Sequence, residues 1–328
     1  MDKNGELKVG LIGCGGIMGW HIGNLLKVPN VRVVAMADPV TDTIKNHKNA
    51  HSALAGAAVF QCHHELLEQA KPDAVIIASR HSDHFGQIVD ALNAGAHVLV
   101  EKPFVPTVAE AKKCIALAKR KKKVLMISYQ RHFDPKNRYM RDLVKAGRIG
   151  QIQTISSALG QWWMVGTKGS WRQDPKYSRG GQLNDSGSHI VDIPLWITGL
   201  KPVEVYAALE YRGCKVDINS SLTVRLSNGA LWSISIGGNT PGFWEYLIIS
   251  GDKGTLAFEN GNLTVTEGRI KNRGEGFGSY HDQTAGFIKA IRGQTPNEVP
   301  GEFGLLVTAL TQAAFQSART RKPVRIKL

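Results

Sequence analysis

The sequence predicts an α/β fold class for this chain. We expect a doubly wound parallel sheet over residues 1–128, followed by an α+β domain with a large open, mostly antiparallel sheet over residues 129–328. Three observations predict it. The length of 328 residues exceeds what one hydrophobic core usually serves. Short aliphatic runs alternate with helical periodicity through about residue 127. Beyond about residue 135, predicted strands follow one another through hairpin-like turns.

The first half contains the runs that build the parallel sheet. Five aliphatic runs are predicted as buried strands, at residues 7–12, 31–37, 74–78, 97–100 and 124–127. Apolar stripes with helical spacing lie between them: Met18, Ile22, Leu25 and Leu26 form one, and Phe85, Ile88, Val89 and Leu92 form another. Strands that alternate with helices in this way pair in parallel.

The second half has more strands and fewer helices. Strands are predicted at residues 153–156, 203–210, 221–226, 231–236, 246–249, 255–258 and 263–265. The turns at residues 227–229 and 259–262 contain Asn-Gly, which is typical of tight hairpins. Helices are predicted at a segment running through Leu143 and at residues 185–196, 283–292 and 302–319.

Composition is that of a soluble globular protein, with 42% hydrophobic and 21% charged residues. We expect no signal peptide and no membrane span, since no suitable apolar run is present. The four cysteines show no C-x-x-C spacing, which predicts a reducing cytoplasm and no bound metal. The adjacent His63 and His64 are interpreted as an exposed helix start and given no role.

A formal net charge of +14 and a pI near 9.7 raise the question of nucleic-acid binding. The densest basic run, at residues 119–123, follows an apolar stripe and therefore falls at a helix C-terminus, where the macrodipole favours cations. No interleaved aromatic residues accompany it. The charge is interpreted as steering an anionic cofactor or substrate, and no nucleic-acid partner is predicted.

A glycine-rich turn directly follows the first predicted strand and opens the first helix. It reads Gly-Cys-Gly-Gly-Ile-Met-Gly over residues 13–19, and such glycines let backbone amides approach a pyrophosphate at a helix N-terminus. In the usual spacing the third glycine would fall at Met18. A turn without a ligand is the alternative. The residues predicted to bind a dinucleotide at this turn are Gly13, Gly15, Gly16, Ile17 and Met18.

Asp38 ends the second predicted strand, where a carboxylate accepts hydrogen bonds from the adenosine ribose hydroxyls. Its charge would repel a 2′-phosphate, and the following Pro39 and Val40 offer no arginine to bind one. NAD is therefore favoured over NADP. Methyltransferases and nucleotide-sensing regulators use similar turns, so this half does not name a reaction by itself.

The segment Val-Leu-Val-Glu-Lys-Pro at residues 98–103 ends a buried strand in a paired acid and base. A lysine at the carboxyl end of a parallel strand lies in the crevice where open α/β sheets bind ligands. Lys102 is predicted to be catalytic and to contact both cofactor and substrate, with Glu101 beside it at the cofactor. An ordinary ion pair at a strand end is the alternative.

Asp185 and His189 lie four residues apart, so on a helix they would share one face. Oxidation of an alcohol by hydride transfer needs a group that removes the hydroxyl proton, and histidine titrates in the right range. The carboxylate can orient the ring, and Lys102 can lower the pKa of the substrate hydroxyl. A surface pair without function is the alternative. The absence of H-E-x-x-H argues against a metal.

Other residues are predicted to line the pockets. Ser79, His81 and His84 follow the strand at residues 74–78 and are assigned to the cofactor, with a helix cap as the alternative for the histidines. Aromatic faces stack well on sugar rings, although burial is the alternative for the tryptophans. The residues assigned to a polyhydroxylated or anionic substrate, besides Lys102, Asp185 and His189, are Gln130, Arg131, Trp163, Trp171 and Arg172.

Together, Glu101-Lys102-Pro103, the turn at residues 13–19 and the segment 180–192 resemble the Gfo/Idh/MocA oxidoreductases, named for glucose-fructose oxidoreductase and inositol dehydrogenase. The resemblance covers essentially the whole chain. It implies an N-terminal Rossmann domain, a C-terminal α+β domain and assembly as homodimers or homotetramers through the open sheet. It also implies that Lys102 is the catalytic lysine, that His189 is the acid/base and that Asp185 is its partner in the helix. The family's Thr-Pro-Asn turn is replaced by Ser79-Arg80-His81.

The expected function is that of an NAD-dependent dehydrogenase that oxidises a secondary alcohol of a sugar, an inositol or a sugar derivative. The alternative is NAD-assisted glycoside cleavage through transient oxidation of a sugar hydroxyl. A redox sensor without catalysis is disfavoured by the lysine, aspartate and histidine set.

Overall fold

The computed structural model describes residues 5–328, which fold into two compact units. The first unit ends at Ser128 and takes up the chain again from His281 to Gly304; the second comprises Tyr129–Tyr280 and Leu305–Leu328. The first segment of the first unit therefore ends at residue 128. Residues 281–304, in contrast, belong with the first unit rather than with the second.

Strands and helices alternate along most of the first unit, and strands predominate in the second. The strands are β1 (Leu7–Ile12), β2 (Val31–Ala37), β3 (Ala58–Phe60), β4 (Ala74–Ile77), β5 (His97–Glu101), β6 (Leu125–Ser128), β7 (Ile152–Gln161), β8 (Pro202–Glu210), β9 (Asn219–Leu226), β10 (Leu231–Gly237), β11 (Phe243–Gly251), β12 (Gly254–Glu259), β13 (Asn262–Glu267), β14 (Ile270–Arg273) and β15 (Val324–Arg325). The helices are α1 (Gly16–Leu25), α2 (Thr41–Ala50), α3 (His63–Glu65), α4 (His84–Asn93), α5 (Val108–Lys121), α6 (Pro135–Lys145), α7 (Trp163–Gly166), α8 (Pro175–Ser178), α9 (Gly187–Thr198), α10 (Gln283–Ile291) and α11 (Gly301–Thr320).

The first unit is built on a parallel six-stranded sheet with the order β3-β2-β1-β4-β5-β6. The strand order reverses between β1 and β4, and the carboxyl ends of such a pair form the crevice in which Rossmann folds bind dinucleotides. The doubly wound parallel sheet predicted from the sequence is confirmed. Strand β3 was not predicted, because it is a short edge strand of largely exposed residues.

Helix α10 and the segment after it complete the first unit from the far end of the sequence. Ile127 N–H donates to Val299 O at 2.9 Å, and the side-chain amide of Asn297 donates to Leu125 O at 2.8 Å. These bonds tie residues 297–299 to β6. Chain order gives no sign of such a return, because the contacts join residues more than 150 positions apart.

The second unit is built on a nine-stranded sheet with the order β14-β13-β12-β11-β7-β10-β9-β8-β15. Only the central β7 and β10 pair in parallel, and the other neighbours are antiparallel, so the predicted mostly antiparallel sheet is confirmed. Residues of β9 and β10 alternate between buried and exposed. Helix α9 packs on β7 and β10, while the opposite side chains of these strands face outward.

The predicted hairpins form at the predicted places. Asn260 and Gly261 both have positive φ, at 46° and 87°, as a tight turn between β12 and β13 requires. Strand β7 is longer than the predicted segment of residues 153–156, since residues 157–161 are held by pairing with β10 and β11 on both sides. Among residues 5–328, no helix combines the length and the apolar character needed to cross a membrane.

Candidate active site

The glycine turn joins β1 to α1 at the switch point of the parallel sheet. Gly13 has φ +80°, and a Cβ there would lie 2.6 Å from the backbone nitrogen of Ser79, so only glycine lets the ends of β1 and β4 approach. Gly15 and Gly16 differ, because a Cβ on either would meet no described atom within 4 Å. The first amides of α1 therefore have room for an anionic group, which fits the pyrophosphate of a dinucleotide.

Ile17 and Met18 were both assigned to the cofactor, but their side chains lie in different surroundings. Ile17 is 41% exposed, whereas the side chain of Met18 is fully buried in the core. Any contact of Met18 with a ligand would therefore involve its backbone. The tight contact of this helix lies at Gly19, where a Cβ would come 3.3 Å from the ring of His47. This contact explains why the third glycine of the motif stands at position 19 and not at position 18.

Asp38 follows β2 directly and is partly exposed. Its Oδ2 accepts from Cys14 N–H at 2.7 Å, and its Oδ1 accepts from Val40 N–H at 2.8 Å. Because a carboxylate can accept about four hydrogen bonds, lone pairs are left for ribose hydroxyls, and the residue fits its assigned role. Burial, aided by the charge of Asp38, raises the pKa of the Cys14 thiol to about 12, so this thiol stays protonated.

Ser79 and His81 follow β4. The backbone of Ser79 lies against Gly13, and its hydroxyl donates to Gln87 Oε1 at 2.6 Å. His81 is 4% exposed. It is the first residue of the 3₁₀ turn that precedes α4. Ser79 thus lies beside the glycine turn, and its contact with the cofactor stays a prediction.

His84 is completely buried and faces three backbone carbonyls. Its Nδ1 lies 3.0 Å from Pro103 O and 3.2 Å from Phe104 O, and its Nε2 lies 3.3 Å from Ser79 O. Burial lowers the pKa of His84 despite these acceptors, so the neutral ring is favoured. The neutral ring has one N–H and donates from a single nitrogen, and it lies buried between the loops that follow β4 and Lys102. Its direct contact with the cofactor stays a prediction.

Glu101 also has internal partners, so its assignment to the cofactor is corrected. Its Oε1 lies 2.9 Å from His21 Nε2 and accepts from the Ser128 hydroxyl, and its Oε2 accepts from Lys102 N–H at 3.2 Å. Burial alone would raise the pKa of Glu101, but the hydrogen bond and charge of His21 outweigh it, and the pKa is lowered. Glu101 therefore stays ionised and holds the end of β5.

The partners of Glu101 belong to a larger buried network of hydrogen-bonded side chains. His21 Nδ1 lies 3.3 Å from the Thr284 hydroxyl, and the side-chain amide of Gln283 donates to the Ser128 hydroxyl. This series of hydrogen-bonded side chains connects α1, β5, β6 and α10. It was not predicted from the sequence, although a histidine on the apolar face of α1 is a signal, since a buried polar group needs a partner.

Lys102 is partly exposed at the carboxyl end of β5. The register pairs Ile12 with Ile77 and Ile77 with Val100. Since all three strands run in parallel, the residues that follow these positions emerge at one edge of the sheet. Lys102, Ser79 and the glycine turn therefore lie along the same edge, and the peptide bond between Lys102 and Pro103 is cis.

In the second unit, Asp185 lies in a turn and not in the helix that was predicted from residue 185. Helix α9 begins at Gly187, whose N–H donates to Gln182 O at 2.8 Å. The predicted helix start at residue 185 is thus two residues early, and the proximity of the Asp185 and His189 side chains stays a prediction. His189 lies in the first turn of α9, half buried, with its ring edge-on to that of Tyr129 at a centroid distance of 6.4 Å.

Asp185 is nearly buried and held by two donors. Its Oδ2 accepts from Trp163 Nε1 at 2.9 Å and from Arg172 Nε at 3.2 Å. Trp163 is itself buried, packed with Val216 and Ile218. The expectation that the Trp163 ring stacks on substrate is therefore corrected. The ring instead holds the carboxylate of Asp185 in position.

Trp171 and Arg172 remain partly exposed. The guanidinium of Arg172 lies over the ring of Trp171 at 4.5 Å, while its Nε donates to Asp185. The pair places an aromatic ring and a cation beside the candidate carboxylate, and its assignment to substrate stays a prediction.

Asp217 fixes the turn that carries Asp185, and it was not predicted from the sequence. Its carboxylate accepts from Gly181 N–H at 2.7 Å and from Leu183 N–H at 2.9 Å. A Cβ on Gly181 would lie 1.9 Å from Asp217 O, so this glycine is required. Burial raises the pKa of Asp217 although the two amides oppose the shift. The sequence does contain a signal for this buried role, namely an acidic residue between the two apolar residues Val216 and Ile218.

Gln130 and Arg131 lie in a 3₁₀ turn that is fastened to α9. The neighbouring His132 is completely buried with its Nε2 2.8 Å from Asp192 Oδ1, and burial raises the pKa of Asp192 against the charge of His132. Gln130 is partly exposed. Arg131 forms an ion pair with Glu245 at 2.7 Å.

The ion pair of Arg131 lines a cavity within the second unit. Its walls come from the 3₁₀ turn, α6, α9 and the sheet, and neither Asp185 nor His189 lines it. Arg131 thus lines this cavity, and the contacts of its side chain give no support to its assignment to substrate. The lining residues are Arg131, Asp134, Asn137, Ser157, Ile190, Ile193, Pro194, Glu245, Tyr246, Leu247 and Phe258.

The parallel sheet, the open glycine turn at its switch point and Asp38 define a dinucleotide-binding Rossmann protein. Comparison with family models narrows the class. Residues 7–129 match the model described as an oxidoreductase family with an NAD-binding Rossmann fold, and residues 137–257 match that of the GFO/IDH/MocA C-terminal domain. The chain belongs to the Gfo/Idh/MocA family of oxidoreductases, and NAD is the cofactor of its Rossmann domain.

Known proteins resemble this chain over nearly its full length. A myo-inositol 2-dehydrogenase of Thermotoga maritima is 25% identical over 98% of this chain and 99% of its own. An aldose-aldose oxidoreductase of Caulobacter crescentus, solved with glycerol, superposes with a TM-score of 0.88 at 21% identity, covering 98% of this chain and 100% of the other. A levoglucosan dehydrogenase solved with NADH has a TM-score of 0.85 at 20% identity, with coverage of 98% and 99%.

Proposed function

We propose that this oxidoreductase is an NAD-dependent dehydrogenase that oxidises a secondary alcohol of a sugar, an inositol or a sugar derivative. The observation that carries the proposal is the position of Lys102, partly exposed at the sheet edge that also bears the glycine turn and Ser79. The names of the relatives support the substrate class, since they include an inositol dehydrogenase and a levoglucosan dehydrogenase.

The cofactor has a coherent set of partners in the first unit. The amides at Gly15 and Gly16 would hold the pyrophosphate, and Asp38 would accept from the ribose hydroxyls. The negative charge of Asp38, fixed by two backbone amides, would repel a 2′-phosphate, which favours NAD over NADP.

The proposed chemistry moves one hydride and one proton. NAD, when bound, accepts the hydride from the carbinol carbon. The Lys102 ammonium lowers the pKa of the substrate hydroxyl through charge and hydrogen bonding. His189 takes the hydroxyl proton as the O–H bond breaks and the C=O bond of the ketone forms. Asp185 would orient His189 or bind a neighbouring hydroxyl, with Trp163 and Arg172 holding its carboxylate in place.

Trp171 and Arg172 are proposed to bind substrate. An aromatic face suits the C–H face of a sugar ring, and the cation of Arg172 suits hydroxyl or carboxylate oxygens. Gln130 is proposed as a further donor, because its side chain is partly exposed.

The substitution Lys102→Met tests this assignment. NADH formation is measured across inositols, aldoses, anhydrosugars and sugar acids, and NAD binding is measured by calorimetry. We expect turnover to fall by about 10²- to 10⁴-fold while NAD still binds. Lys121→Met, at the exposed end of α5, is the matched control and should keep full activity. Near-normal turnover in Lys102→Met would contradict the catalytic role.

The same panel separates the glycoside-cleaving alternative. Aryl glycosides that release phenol without net NADH would indicate cleavage through transient oxidation, whereas a dehydrogenase accumulates NADH. We favour the dehydrogenase, because the relatives whose names state an activity are dehydrogenases or oxidoreductases.

We also propose that copies of this chain assemble through the outward face of the nine-stranded sheet, as homodimers or homotetramers. Tyr206 and Leu231 on that face are 46% and 45% exposed, and Thr223 and Ser233 lie between them as small residues. A broad face of this kind suits a second copy of the same surface.

A further inference from the structure

A group of potential metal ligands lies in the first unit, in the segment that follows the edge strand β3. Cys62, His63 and His64 are consecutive, and the cysteine sulfur and one ring nitrogen of each histidine all lie within 4.8 Å of one another. Ligands of a tetrahedral zinc ion lie about 2.0–2.3 Å from the metal. Three atoms this close therefore need only small side-chain rotations to share one ion.

The local backbone explains why three adjacent side chains converge. Cys62 is extended, with φ −127° and ψ 138°, and immediately precedes the helical turn of α3, which contains both histidines. The change from extended to helical backbone lets the thiol turn toward the imidazoles, and the two rings lie with centroids 4.0 Å apart.

A carboxylate from a separate helix completes the group. Asp90 Oδ2, on α4, lies 2.9 Å from His63 Nε2 and 3.6 Å from His64 Nδ1. Histidines that bind metals commonly donate their other ring N–H to a carboxylate, which fixes the ring and strengthens the ligand. With Nδ1 of His63 as the metal ligand, Asp90 is placed to do this at Nε2.

Access and chemistry both suit a borderline-soft divalent cation. The side chains of His63 and His64 are 18% and 65% exposed, so an ion can reach them from solvent. One thiolate and two imidazoles form a donor set that favours zinc over magnesium or calcium, which prefer oxygen ligands.

We propose that Cys62, His63 and His64 bind one Zn²⁺ ion, with Asp90 orienting His63 and a water in the fourth position. This site goes beyond the dehydrogenase function and uses none of its residues. It also revises two expectations from the sequence, namely that the two histidines have no role and that no metal is bound. The bound ion would fasten the segment after β3 to α4.

The test uses the 328-residue chain without a polyhistidine tag, treated with a chelator and then titrated. Zn²⁺ binding is measured by calorimetry, and Co²⁺ is used as a coloured probe whose thiolate charge-transfer absorption requires a cysteine ligand. We expect one ion per chain and a raised melting temperature with Zn²⁺, because a ligand that binds the folded state stabilises it.

Four variants locate the site. Cys62→Ser should abolish the charge-transfer absorption, His64→Ala should weaken Zn²⁺ binding, and Asp90→Asn should weaken it by about 10- to 100-fold. Cys214→Ser, which removes another half-buried thiol, should bind both ions as the wild type does. The proposal is overturned if the wild type shows no saturable Zn²⁺ binding. It is equally overturned if Cys62→Ser binds Zn²⁺ as tightly as Cys214→Ser.

Discussion

At the scale of single residues, several side chains that look functional in the sequence have buried polar partners inside the protein. Glu101 holds the end of β5 through His21 and Ser128, and His84 holds the loop after Lys102. Buried polar groups are costly unless they are bonded. Their partners therefore decide whether such residues contact a ligand or position the residues that do.

The Glu101 network predicts a pH-dependent contribution to stability. The pKa of Glu101 is lower in the folded chain than its ordinary value. Its contribution is therefore complete above the ordinary glutamate pKa and is lost as pH falls through the lowered value. Glu101→Gln should reduce the free energy of unfolding at neutral pH by about 1.5–3 kcal/mol, because a neutral amide replaces the charged acceptor of the hydrogen bonds with His21 and Ser128. It should also flatten the acid limb of the profile.

Urea unfolding across a pH series measures both effects. The matched control is Glu68→Gln, since Glu68 is exposed, and it should follow the wild-type profile. If Glu101→Gln unfolds like this control at every pH, the carboxylate does not stabilise the first unit as argued.

At the scale of elements, the turn between β1 and α1 combines two kinds of glycine. Gly13 is required by its backbone conformation and by the close backbone of Ser79, whereas Gly15 has an extended conformation open to any residue and free space around it. The sequence motif alone does not separate these roles, because both positions carry the same letter. Only the surrounding atoms distinguish a glycine needed for folding from one needed for a ligand.

This difference predicts opposite outcomes for two alanine substitutions. Gly13→Ala should destabilise the chain by at least about 1–2 kcal/mol, the cost of a left-handed residue with a Cβ, with the clash adding to it. Gly15→Ala should change stability by less than about 0.5 kcal/mol and still weaken NAD binding, since its methyl group occupies the space above the amides. Thermal unfolding and NAD calorimetry measure the two effects. Unchanged NAD affinity in Gly15→Ala would place the pyrophosphate elsewhere.

The elements themselves were largely predictable. Buried strands such as β4 consist of continuous aliphatic residues, and their periodicity is local information. The short β3, the exposed β14 and the two-residue β15 were missed because pairing with neighbours, not composition, holds them. The start of α9 was misplaced by two residues, because hydrogen bonds from the Gly181 and Leu183 amides to Asp217 hold the preceding turn.

At the scale of the whole molecule, the outward face of the nine-stranded sheet predicts the assembly. Thr223 on β9 pairs with Tyr206 on β8 and with Ser233 on β10, so it lies in the middle of the exposed face. Thr223→Arg would place a long cation there and should convert the assembly to single chains. Light scattering after size-exclusion chromatography measures the mass.

The control for assembly is Ser227→Arg, in the exposed turn between β9 and β10. This variant should keep the wild-type mass, because its side chain lies at the end of the strands. A wild-type chain that is already monomeric, or a Thr223→Arg chain that keeps its mass, would contradict assembly through this face.

The sequence was sufficient to predict most of the strands and helices, the parallel and antiparallel halves, the glycine turn with Asp38 and the family, because periodicity and motif spacing are local properties of the chain. Only the tertiary structure decided that residues 281–304 belong with the first unit, that Glu101, His84 and Trp163 face internal partners, and that Asp90 joins the cluster at Cys62. Those facts depend on contacts between residues far apart in the chain, and long-range contacts leave no periodic signal in a single sequence.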